Sequence, residues 1–129
     1  NEVCDKLKLD KIENIHSRAE ELAKNKKYRE QYDVVTSRAV ARLASLVEYM
    51  LPFVKVGGRC ICMKGSNVDE ELIEAKKAIN VLGGEIEKVD KFLLPNSDIE
   101  RNIVIIKKIK NTSCKYPRKP GTATKQPII

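Results

Sequence analysis

Two apolar runs that follow one another almost without interruption constrain this chain most. Residues 85–94 carry Ile86, Val89 and Phe92 and stop at Pro95; residues 101–109 hold the dense centre Ile103-Val104-Ile105-Ile106. Six residues, 95–100, separate them. A parallel crossover takes a dozen residues or more, so this pair predicts an antiparallel hairpin. Upstream the rhythm differs. Residues 32–37 are rich in β-branched side chains and read as a strand, with Arg38 just past its carboxyl end. From about residue 42 to 50, Leu43, Leu46, Val47 and Met50 recur at helical spacing, and Leu51-Pro52 closes the helix. Val56-Gly57-Gly58 reads as a turn into a strand over residues 59–64, which Gly65 ends. Residues 68–82 set Leu72, Ile73, Ala75, Ile79 and Leu82 among charges, a helix capped by Gly83-Gly84.

Closer to the start, residues 1–9 have the spacing of an amphipathic helix end, and residues 11–16 read as a short strand. Ser17-Arg18-Ala19-Glu20 then has the form of a capping box, opening a helix through about Lys24. The order β-α-β-α-β-α-β-β predicts a parallel α/β sheet ending in an antiparallel hairpin. Its ligand edge lies at the carboxyl ends of the strands, here residues 18–20, 37–38 and 64–65. The G-x-G-x-x-G signature of dinucleotide folds is absent. With 129 residues the chain has the material of one domain, and a core is possible without disulfides or metal.

Charge is distributed unevenly. The formal net charge is +7, and no acidic residue follows Glu100. Residues 102–129 hold seven cations: Lys107, Lys108, Lys110, Lys115, Arg118, Lys119 and Lys125. The other 18 basic residues cancel the 18 acidic ones, so the whole excess sits near the C-terminus. Such a concentration is the footprint of a polyanion partner, most often nucleic acid, or else of a solubilising tail. The tail, residues 111–129, reads as irregular, with Tyr116 and Ile128-Ile129 able to pin it down. Cys4, Cys60, Cys62 and Cys114 contain no C-x-x-C pair, so no zinc site is predicted. On a strand Cys60 and Cys62 share one face, as two small buried hydrophobes do, and reduced thiols fit a cytoplasmic protein. His16 stands alone, with no triad or metal cluster. No apolar stretch has the length of a membrane span, and the polar start has no signal-peptide pattern.

Five segments carry a resemblance. These are Arg18-Ala19-Glu20-Glu21; residues 32–41, Tyr-Asp-Val-Val-Thr-Ser-Arg-Ala-Val-Ala; residues 51–58, Leu-Pro-Phe-Val-Lys-Val-Gly-Gly; Met63-Lys64-Gly65; and Lys115-Tyr116-Pro117-Arg118-Lys119. Together they resemble the RsmG (GidB) family of bacterial 16S ribosomal RNA methyltransferases. The resemblance implies a Rossmann-like class I S-adenosylmethionine-dependent methyltransferase fold, of which this is the C-terminal part. It also implies methylation of guanine N7 in 16S rRNA of the 30S subunit, with S-adenosylmethionine as cofactor, by a monomeric enzyme. Ala19 and Glu20 match the family's pair near the cofactor adenine, and Arg38 matches its arginine at the cofactor site. The family's glycine-rich cofactor loop has no counterpart here. The resemblance therefore implies a partial domain over residues 1–110, lacking its first two strands, and a basic tail over residues 111–129 on or extending from it. Such a fragment alone is expected to be marginally stable, to bind the cofactor feebly and to be inactive.

Guanine N7 carries an exposed lone pair and no proton. Its methylation needs alignment with the methyl group more than it needs a base, so no catalytic acid or base is assigned. Lys64, Arg101, Lys115, Tyr116, Arg118 and Lys119 are the RNA-binding candidates. Two other readings stay open at this stage. A non-catalytic RNA-binding module fits the missing glycine-rich loop; a small-molecule methyltransferase fits the fold but not the acid-free tail.

Overall fold

The computed structural model describes residues 19–38, 42–65 and 68–129. The predicted helix end at residues 1–9, the strand at 11–16, Ser17, His16 and Cys4 lie outside the described residues. The elements are α1 (Ala19–Leu22), β1 (Tyr32–Arg38), α2 (Leu43–Met50), a 3-10 turn (Leu51–Phe53), β2 (Val54–Lys64), α3 (Val68–Val81), β3 (Gly84–Leu93), β4 (Glu100–Lys108) and α4 (Thr122–Lys125). The four strands form one sheet in the order β1-β2-β4-β3. β1 and β2 are parallel, whereas β4 runs antiparallel to both β2 and β3. The parallel pair closed by an antiparallel hairpin is the arrangement that the spacing of the apolar runs predicts.

One face of the sheet is dry. Cys60, Cys62, Val104 and Ile106 alternate inward and are fully buried against Leu43, Val47 and Met50 of α2 and Ala75, Ala78 and Ile79 of α3. Alternation has period two, so Cys60 and Cys62 share that face as expected. Their sulfurs lie 3.8 Å apart and 3.7–3.8 Å from the Met50 thioether. The contact with Cys62, and burial after it, push the Cys60 thiol up, which keeps it protonated. α2 buries Leu43, Leu46, Val47 and Met50 along one stripe. Its first amide is capped across space rather than locally: the Leu43 N–H donates to Glu71 Oε1 of α3 (2.9 Å). Three acidic residues, Asp69 to Glu71, stand in the first turn of α3, where the helix dipole favours them. Gly83, at φ +90°, ends that helix in a left-handed conformation. Ile73, counted among the apolar residues of α3, is 78% exposed and takes no part in the core.

One expectation fails. Val56-Gly57-Gly58 is not a turn ahead of β2; the strand starts at Val54 and passes through it. From Tyr32↔Val54 to Arg38↔Met63, β1 advances six residues and β2 nine, so a bulge takes up three. Gly57 has φ +92°, and a Cβ on Gly58 would stand 2.6 Å from the Asp33 carbonyl oxygen. The tail is largely irregular, as expected, apart from one short helical turn. It contains α4 and lies across α2, where Ser45 Oγ donates to the Ala123 carbonyl (2.7 Å). Tyr116 and Ile128 pack on the core as expected, whereas Ile129 is exposed. Arg29 ties the tail to the segment after α1, donating to the carbonyls of Ala23, Thr112, Ser113 and Tyr116 at 2.8–3.2 Å.

Lys108 closes β4 with its side chain fully buried. Its Nζ donates to the carbonyls of Leu51 (2.7 Å) and Val54 (2.9 Å) and lies 3.5 Å from Glu30 Oε2. Burial pulls its pKa from the ordinary 10.5 to about 8, against the attraction of Glu30. The folded state therefore binds fewer protons than the unfolded state between those values, and stability rises with pH there. The unfolding free energy of the chain, relative to Lys108→Met, is expected to grow by roughly 3 kcal/mol from about pH 8 to pH 10.5. Urea titrations of both proteins across that window check it; a constant difference contradicts the assignment.

Candidate functional site

The carboxyl ends of β1 and β2, the end of β3 and the beginning of β4 meet at one edge of the sheet. Register decides what gathers there. Arg38 pairs with Met63, Met63 with Ile103, and Phe92 with Arg101. Paired residues share a face, so all five side chains fall on the face opposite the sulfur cluster. They line a groove of about 600 Å³. Met63 and Phe92 are 46% and 42% exposed. Two planar guanidinium groups thus flank an apolar floor. Such forks match the planar edges of carboxylates, phosphates and bases.

The far wall is held by a polar residue in an apolar strand. Asn102 is 1% exposed, and its Nδ2 donates to the Gly65 carbonyl just beyond β2 (2.6 Å). Among the described residues its Oδ1 has no hydrogen-bond partner. Phe92, Met63 and Asn102 escape sequence reasoning as site residues. The available signal is Asn102 itself, a polar side chain in step with Val104 and Ile106.

The candidates separate into three groups. Arg38, Lys64 and Arg101 come together in the groove. Ala19 and Glu20 open α1. The tail residues do not line the groove. Two of the RNA-binding candidates face inward. Lys64 lines the groove but is mostly buried, its ammonium 2.8 Å from Glu71 Oε1 at the β2–α3 junction. Arg118 turns onto Glu48, a carboxylate buried on the flank of the α2 stripe. Its Nη2 is 2.7 Å from Oε1, its backbone N–H donates to Oε2 (2.8 Å), and Nη2 also reaches the Gln126 carbonyl (2.6 Å). The hydrogen bond to Glu48 holds the Arg118 guanidinium above its usual range. A carboxylate taken out of water demands such a partner, which is why Arg118 points inward. Lys115 and Lys119 are exposed, and Lys115 Nζ lies 5.4 Å from the centroid of the half-buried Tyr116 ring. Among the described residues no group of three or more His, Cys, Asp or Glu is placed to hold a metal, and no helix is long and apolar enough to cross a membrane.

A parallel pair ending in an antiparallel hairpin, with a groove at the strand ends, defines part of a Rossmann-like methyltransferase sheet. A solved structure of an rRNA methylase from Streptococcus thermophilus shares this fold at TM-score 0.59 and 17% identity, over 84% of this chain and 64% of that one. The family model for rRNA small subunit methyltransferase G (GidB) matches residues 1–104. The chain belongs to that family. It is 57% identical over 129 residues to the ribosomal RNA small subunit methyltransferase G of Clostridium novyi, covering 100% of this chain and 53% of the relative. The protein of the same description from Alkaliphilus oremlandii is 55% identical over 127 residues, 98% of this chain and 53% of that protein. The chain spans about half the length of the curated relatives it matches.

Inward and outward cations have different consequences. Arg118→Ala leaves Glu48 buried without a partner and is expected to cost about 3 kcal/mol of stability. Lys119→Ala is expected to stay within about 0.5 kcal/mol. Thermal unfolding of both variants checks this.

Proposed function

We propose that the chain is the C-terminal portion of an enzyme that transfers a methyl group to guanine N7 of 16S rRNA, in the 30S subunit or its RNA. It acts as a cytoplasmic monomer with S-adenosylmethionine as cofactor. Residues 1–110 are then a partial domain without its first two strands, and residues 111–129 a basic extension of it. The observation that carries this reading is the groove at the sheet's ligand edge, in a chain belonging to the rRNA small subunit methyltransferase G family. The cofactor, when bound, supplies an electrophilic methyl. The residues here fit part of its needs. Arg38 offers a guanidinium at the strand end, and the start of α1 at Ala19-Glu20 offers backbone groups to an adenine. Both matches come from the family motif. The glycine-rich loop that would hold the methionine end has no counterpart in the chain.

The residues of the groove suit this chemistry. N7 has no proton to remove, so a site of arginines and apolar side chains can act by holding the base in line. Lys115 and Lys119, exposed on the tail, supply phosphate contacts that give affinity without sequence choice. Tyr116, packed on the core, positions them.

The test joins the chain to the upstream half of its Clostridium novyi relative and supplies labelled S-adenosylmethionine with unmodified 30S subunits or 16S rRNA. Label at guanine N7 is expected, falling at least about tenfold in Arg38→Ala and absent for the 129-residue chain alone. No label, together with tight and salt-sensitive RNA binding, overturns the enzyme reading in favour of an RNA-binding module.

A further inference from the structure

The geometry points to Phe92 as a stacking wall for an unstacked purine of the RNA substrate, with Arg101 beside it donating to the base edge. This assignment rests on the RNA-methyltransferase reading and adds the place where the base lies.

Three observations carry it. The first is shape. Arg38, Met63 and Ile103 sit on adjacent strands in register, so the floor between β1 and β4 is about 10 Å across. Phe92 stands one strand further, on β3, paired with Arg101. The floor is flat because it is sheet, and it is closed at both sides by long side chains. The second is composition. Met63 and Ile103 present apolar surface to the groove, which phosphate has no use for and the face of a base does. Phe92 is 42% exposed at the same place. Recognition of single-stranded RNA relies on aromatic rings of this kind, with hydrogen bonds made to the edges of the splayed base. The third is charge. Arg101 and Arg38 are both exposed and both line the groove. A guanidinium fork donates well to guanine O6, and donation there leaves the neighbouring N7 lone pair to the methyl group. Among the described residues that line the groove there is no carboxylate, which suits an electron-rich base edge.

An enzyme that acts on a base atom has to take the base out of its stack. The cost of unstacking is offset by a replacement stack, and Phe92 is the aromatic ring that lines this groove. Tyr32 and Phe53 pack edge to face against each other elsewhere.

Two measurements test it. In the chain extended upstream as above, Phe92→Ala is expected to lower kcat/KM for 16S rRNA about tenfold or more, with cofactor affinity and thermal midpoint unchanged and with activity restored in Phe92→Tyr. Arg101→Ala lowers it similarly, and Arg101→Lys does not restore it. The chain contains no tryptophan, so Phe92→Trp in the 129-residue chain gives a single local fluorophore. Its emission is expected to be quenched by 16S rRNA and, at higher concentration, by guanosine monophosphate, but not by inorganic phosphate. Unchanged kinetics in Phe92→Ala beside an active parent overturn the stacking wall. So does emission indifferent to RNA, even if Phe92→Ala fails to fold. Quenching by RNA in a system whose parent transfers no methyl retains the wall and overturns the enzyme reading instead.

Discussion

An ammonium with no water to face organises this fold. Lys108 is fully buried, and a buried charge is tolerated only where partners converge on it. They come from two places: the carbonyls of Leu51 and Val54 at the turn between α2 and β2, and the Glu30 carboxylate ahead of β1. The Glu30 and Gln31 amides donate to Pro52 and Phe53 of the same turn, which draws the loop in further. Glu30 accepts φ +51°, a left-handed conformation that a residue with a side chain adopts at some cost. The start of β1, the start of β2 and the end of β4 are thereby fixed at one point. Every position at the opposite edge is counted from there. The three residues absorbed by the bulge at Gly57-Gly58 set which residue of β2 faces Arg38. Without them, period-two alternation would put a different face of β2 beside β1 at that edge.

Burial also redraws the charge map. The last 28 residues hold the entire excess of positive charge, yet Lys108 and Arg118 spend theirs inside the protein. Glu48 and Arg118 together decide the course of the tail, because Arg118 can meet a buried carboxylate on α2 only if the tail crosses that helix. Arg29 does the same work near Tyr116 through four carbonyls. The basic tail is therefore a strap over α2, with Lys115 and Lys119 presented on its outer side. The guanidinium groups of the groove and the ammonium groups of the strap form two distinct cationic regions, one rigid and at the strand ends, the other mounted on a helix.

Periodicity made the strands, the two longer helices and the final hairpin readable, because each is set by side chains close in sequence. Arg38 was readable as an edge residue for the same reason: it follows a β-branched run. What sequence could not give is direction. Arg118 reads as an outward cation between two prolines, and only Glu48, 70 positions away, turns it inward. Lys64 likewise depends on Glu71 of the next helix. The bulge at Gly57-Gly58 mimics a turn locally, and only the close approach of Asp33 reveals a strand. In sequence Phe92 is one more apolar residue of a loosely alternating strand. Its role at the edge follows from β3 being the outermost strand, a fact of topology rather than of composition.

That topology explains how an apolar groove survives in water at all. An outermost strand offers unpaired backbone to other chains unless its edge is blunted. β3 carries Glu85, Glu87, Lys88, Asp90 and Lys91 along its length, with Lys88 and Lys91 in ion pairs to Asp90 and Asp69. Apolar exposure is deferred to its end, at Phe92 and Leu93, beside the two arginines. Charge along the edge resists strand addition, while the end of the same strand stays open to a flat ligand. Because Met63, Ile103, Phe92 and Arg101 are held by ladder hydrogen bonds and not by a loop, the floor of the groove needs little reorganisation when a base settles on it. For a reaction that works by alignment, such preorganisation is the main thing a protein can contribute.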